Sequence, residues 1–159
     1  MATRPISFLP IVDGVPELDA SASMIGQSIQ SSDGKKEFLC VYGTTVKGTA
    51  YLVSFDETSD KEVIVAACAT MASCEIGIAT EAVTTGYTWL QTKGLCPFAT
   101  TGAAAAGDSL ELINAGTYLI ADASAASVKT IAMCVSAETA TTGSNTVYLV
   151  GGTSVISAT

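Results

Sequence analysis

The chain of 159 residues contains no histidine, one tryptophan and only seven lysines and arginines. Without histidine, Ser-His-Asp and Cys-His catalytic arrangements are excluded, as is an imidazole general base. The few bases (Arg4, Lys35, Lys36, Lys47, Lys61, Lys93, Lys129) face fifteen acids, which leaves a net charge of −8 and a pI near 4.2. A nucleic-acid partner needs a basic stripe that displaces counterions, and the sequence has none. Charged residues reach only 14%, against roughly 25% in an ordinary soluble domain. Mean hydropathy is correspondingly high at +0.45. Two causes fit: a β surface coated with Thr and Ser, or a surface partly hidden in an assembly.

Long apolar runs are also missing. The longest uncharged stretch, residues 139–159, is full of Thr, Ser and Gly and cannot supply the roughly 20 apolar residues of a membrane helix. Near the start, Pro5 and Pro10 interrupt the short apolar part and Asp13 follows it, so no signal-peptide core is expected there. The five cysteines are odd in number, widely spaced and free of C-x-x-C pairs. With no histidine beside them they predict no zinc site, and they read as reduced, buried thiols made in a cytoplasm. Cys96 near Lys93 is the one conceivable nucleophile, and a buried structural cysteine is the favoured alternative. "GTTVKGT" lacks the ending of a phosphate loop, and the acidic turn "DETSDKE" lacks a calcium-loop pattern. No enzyme, cofactor or metal is expected.

Short alternating segments are what the chain does have. Residues 1–30 hold three of the four prolines, Pro5, Pro10 and Pro16, and predict an extended arm. From about residue 31 to 159 a single β domain is expected. "EFLCVYG", "TAYLVSF", "EVIVAA", "CEIGIAT", "GYTWLQ", "SLELI", "TYLIA", "KTIAMCVSA" and "NTVYLVG" read as strands between turns. Cys74, Ile76 and Ile78 alternate, as do Ile131, Met133 and Val135. About eight short strands predict an all-β antiparallel sandwich or barrel. "ACATM" is a candidate helix start, and "TTGAAAAGD" a tight loop of small residues. Thr-Thr-Gly occurs at 84, 100 and 141, and the unequal spacing reads as shared turn chemistry rather than a repeat.

The lone Trp lies in "EIGIATEAVTTGYTWLQTKGLCPFATTGAAAAGDSLEL". A strand ending at Gly77 precedes the strand Gly86-Tyr87-Thr88-Trp89-Leu90-Gln91. A turn at Gly94 follows, and a small-residue stretch ends at Gly107-Asp108. This arrangement, with "DGKKEFLCVYGTTVKGTAYLV" upstream, resembles the small decoration (cement) proteins of tailed bacteriophage heads over roughly residues 33–150. Thr88 stands where the family pattern carries Gly.

The resemblance implies a non-enzymatic protein made in the host cytoplasm and placed on the virion. There it would bind the major capsid protein and clamp neighbouring capsomers as a homo-oligomer, a trimer or dimer. Candidate partner-binding residues are Phe8, Leu9, Ile11 and Val12 in the arm, with Tyr87 and Trp89 on one strand face. A core position for Trp89 is equally expected. Alternatives are a tail-tube or fibre subunit, or a ligand-binding β module with Tyr87 and Trp89 as a stacking platform.

Overall fold

The computed structural model describes residues 8–9, 11–12, 15–16, 18–56, 61–65, 74–112, 118–121, 131–137, 139, 142–151 and 153–154. Among these the chain is almost entirely β, with one 3-10 turn at Ala22–Met24. The strands are β1 (Phe8–Leu9), β2 (Ile11–Val12), β3 (Val15–Pro16), β4 (Ser28–Ser31), β5 (Glu37–Thr45), β6 (Ala50–Asp56) and β7 (Lys61–Val65). They continue with β8 (Cys74–Ala79), β9 (Val83–Thr101), β10 (Ser109–Leu112), β11 (Leu119–Ala121), β12 (Ala132–Cys134), β13 (Gly143–Leu149) and β14 (Thr153–Ser154). The expected helix start "ACATM" and the turn residues 57–60 lie outside the described residues. So does Cys68.

The strands close into two rings. β5, β7, β6, β8 and β9 pair in that order, and β9 returns to β5. β9, β11, β10, β12 and β13 do the same, and β13 returns to β9. Closure removes the open edges that invite aggregation. Each ring has five strands, and an odd number cannot alternate in direction all the way round. One parallel pair per ring follows: β5 with β7, and β9 with β11. The antiparallel barrel expected from the sequence is therefore mixed at these two seams.

The two rings have the same topology, and the strand β9, 19 residues long, belongs to both. Loop hydrogen bonds repeat with it. Gly48 N–H donates to Ala79 O (2.9 Å) and Ala79 N–H to Thr49 O (3.0 Å). In the second ring Gly107 N–H donates to Cys134 O and Cys134 N–H to Asp108 O, both at 2.8 Å. Thr80 N–H to Trp89 O (3.2 Å) is matched by Val135 N–H to Thr146 O (2.9 Å). Gly86 and Gly143 thus occupy equivalent places. The Thr-Thr-Gly triplets at 84 and 141 lie 57 positions apart, as do Gly94 and Gly151, both at positive φ. They mark a duplication that the triplet at 100, ending β9, conceals.

Gly94 is a bend within β9 rather than the turn expected after it. It has φ 89°, a conformation that non-glycine side chains resist. Gln91, fully buried, straps the bend by donating from Nε2 to Lys93 O (3.1 Å) and Leu95 O (3.0 Å).

The first ring is filled by Leu39, Val41, Tyr51, Val53, Ala79 and Leu90. Small and medium side chains, including Cys96, Ala132, Cys134, Val147 and Leu149, fill the second ring. Ala50, Leu52, Ile76 and Ile78 on the outer wall of the first ring join that same cluster, so the rings share one continuous core. Residues 76–79 of β8 are consequently buried on both faces.

The stretch read as an arm reaches into this scaffold. β4 pairs with β5, Ile29 opposite Phe38, and β1 pairs with β4. A boundary at residue 30 falls inside β4. All three early prolines precede residue 17, so from Leu18 through β4 every residue has a backbone N–H that can join a ladder or turn. Among the described residues only β2 and β3 form a separate hairpin. No helix among the described residues is long and apolar enough to cross a membrane.

Candidate interaction face

Trp89, the first candidate, is 1% exposed. It packs with Phe38, Cys40 and Ile29 on the outer wall of the first ring, under Leu18, Ala20 and Met24. Its indole N–H donates to Leu18 O at 2.7 Å. This is a core residue, and nothing of it is left for a partner. Tyr87 is half-buried and lies against Tyr42 on β5, ring centroids 5.0 Å apart and planes tilted by 57°. A two-ring stacking platform of Tyr87 and Trp89 is therefore ruled out. For Phe8, Leu9, Ile11 and Val12 the backbone strands are described, and their side chains lie outside the description.

The apolar surface lies elsewhere. The described residues include six exposed large hydrophobic side chains, and five of them (Leu95, Met133, Val135, Tyr148 and Val150) lie on β9, β12, β13 and their ends. Met133 sits opposite Tyr148, and Tyr148 opposite Leu95, so the three form a row across three adjacent strands. Their inward neighbours Ala132, Cys134, Val147 and Leu149 fill the ring. Alternation was legible in "KTIAMCVSA", but it points the larger residues outward. Inside, Ala132 and Cys134 sit beside Leu110, Leu119 and Leu149, whose bulk already fills the ring, so small residues complete the packing there.

Beside the row lies a hollow of about 480 Å³, bounded by the Asp33–Lys36 turn, Lys93, Leu95 and Tyr148. Three of the seven bases, Lys35, Lys36 and Lys93, line it. Lys93 Nζ stands 3.3 Å from Glu37 Oε1, and Lys35 Nζ 3.9 Å from Asp33 Oδ2. The Ser31 hydroxyl and the Lys35 amide both donate to Asp33, holding its carboxyl below the usual range. The turn keeps its shape while the lysines project. In a chain of net charge −8 this is a local basic rim on an apolar face.

Cys96 is fully buried, and desolvation pushes its thiol up to about 11, with Lys36 and Lys47 opposing only weakly. The thiolate a nucleophile needs is disfavoured there. Cys40 and Cys134 are likewise buried thiols. Among the described residues no group of three His, Cys, Asp or Glu is placed to hold a metal ion. No protein-family model, curated protein or solved structure matches the chain.

Proposed function

We propose that this protein is a structural component of a phage head, attached to the outer surface of an icosahedral capsid and steadying contacts between capsomers. The observation that carries the reading is the outward row Leu95–Tyr148–Met133 with its lysine rim. A contiguous apolar row on the outside of a closed barrel favours a subunit that works covered by neighbours. An aromatic anchor, Tyr148, flanked by Met133 and Leu95 matches the aromatic and Met enrichment of interface centres. Two fused rings with a shared core supply the stiffness that a clamp requires. The resemblance of residues 33–150 to decoration proteins supplies the identity of the surface to be clamped.

Co-sedimentation of the purified protein with empty capsids of the parent phage tests this directly. Saturable attachment is expected, together with a rise in the capsids' resistance to heat or low salt. Absence of attachment at concentrations far above those of the capsid subunits overturns it.

A further inference from the structure

The duplication identifies what is missing from the exposed face. In the first ring, the outer wall formed by β5 and β9 is covered by the segment just before β5: Leu18, Ala20 and Met24 pack there, and β4 adds Ile29. The corresponding wall of the second ring is formed by β9 and β13. Phe38 opposite Gln91 in the first ring corresponds to Leu95 opposite Tyr148 in the second. Ile78, one residue before Ala79, corresponds to Met133 before Cys134. Phe38 and Gln91 are each 0% exposed, whereas Leu95 and Tyr148 are each 45% exposed; Ile78 is buried by the second ring itself, while its counterpart Met133 is 46% exposed. The segment just before β9 is β8, already built into the first ring. Among the described residues, then, no equivalent preceding segment lies over the second wall.

The N-terminal hairpin has the matching chemistry. Among the described residues β2 and β3, Ile11–Val12 and Val15–Pro16, pair only with each other and stand outside the main sheet, anchored to their own chain by the buried Pro16. A hairpin this short gains stability only by packing on something else. Its sequence combines Ile11, Val12 and Val15 with two carboxylates, Asp13 and Glu17. These are apolar groups for the row and carboxylates for Lys35, Lys36 and Lys93. Opposite charge on two such surfaces fixes orientation and speeds encounter.

We propose that the Ile11–Pro16 hairpin of one copy docks on the Leu95–Tyr148–Met133 row of a neighbouring copy, joining the copies head to tail. This deepens the decoration reading by naming the partner of the same face. Donor and acceptor are different surfaces, so the contact is heterologous and a closed ring of copies is its finite form.

The test uses sedimentation velocity on the full-length chain and two full-length variants, each checked for unchanged circular dichroism and melting. The wild type is expected to be an oligomer. Leu95→Ser/Tyr148→Ser (no acceptor) and Ile11→Ser/Val12→Ser (no donor) are each expected to be monomers, the association weakened about tenfold or more. Mixed together, the two variants should form a 1:1 dimer, because one intact donor and one intact acceptor remain. If the acceptor variant melts early, Lys35→Glu/Lys36→Glu on the exposed turn replaces it with the same expectations. A wild type that stays monomeric overturns the inference even if it coats capsids, and the decoration reading then stands. A donor variant that still oligomerises, or variants that fail to dimerise when mixed, also overturn it. An oligomer with all the expected mixing behaviour that ignores capsids supports the inference and removes the decoration reading instead.

Discussion

Replacing Gly94 by alanine tests the shared strand itself. At φ 89° the backbone of Gly94 lies where an L residue is strained, at a cost of about 1–2 kcal/mol. A Cβ built there would also stand 2.1 Å from Lys35 O, a backbone atom that cannot swing aside. Moving it displaces the turn whose Lys36 N–H donates to Ser31 Oγ at 3.0 Å. Overpacking of this kind adds roughly 1–3 kcal/mol. Gly107 is the internal control: φ is 94°, yet nothing lies within 4 Å of its added Cβ. Gly107→Ala should lose only the conformational part, about 1–2 kcal/mol, and Gly94→Ala about 2–5 kcal/mol in total. Parallel urea titrations followed by circular dichroism measure both, and the melting points should separate by several degrees, at ~2–4 °C per kcal/mol. Equal losses for the two substitutions would refute the claim that β9 is pinned against the Asp33–Lys36 turn at its bend.

Trp89→Ala should cost about 3–5 kcal/mol, the range for a large core aromatic, whereas Trp89→Phe should cost less and strand the Leu18 carbonyl. An alanine variant with wild-type melting would contradict the core placement. Thr80 is fully buried and its hydroxyl donates to Trp89 O at 2.9 Å, so Thr80→Val should lose about 1 kcal/mol in chemical denaturation; a gain in stability would count against that bond. Cys96 titrates near 11 when folded against an ordinary value of 9.0. The unfolded chain therefore releases this proton first, and stability falls as pH rises from about 9 to 11, by up to roughly 1.4 kcal/mol per unit. Urea midpoints across that window should drop less in Cys96→Ala, and identical slopes in the two proteins would argue against a desolvated thiol. At pH 8 Cys96 in the folded protein should also resist alkylation until urea is added.

Local chemistry determined much of this protein. Period-two alternation and Gly/Thr punctuation specify strands, because a side chain in extended backbone must face opposite its neighbour. The lack of histidine settled which catalytic devices are absent whatever the fold. Which face turns inward was decided by the ring's other strands: Ala132 and Cys134 pack inside against Leu110 and Leu119, and Met133 and Val135 are left outside. Gly94 carries the same local signal in a turn as in a bend. Only the ladders to β5 before it and β13 after it make β9 one strand serving two rings. Trp89 was placed by a carbonyl 71 residues earlier in the chain, a pairing that no window of sequence around the Trp contains. The duplication left Thr-Thr-Gly and a later Gly at a spacing of 57, but its substance is a pattern of backbone hydrogen bonds. Backbone groups are the same in every residue, so that pattern outlasts the side chains and is visible only once the chain is folded.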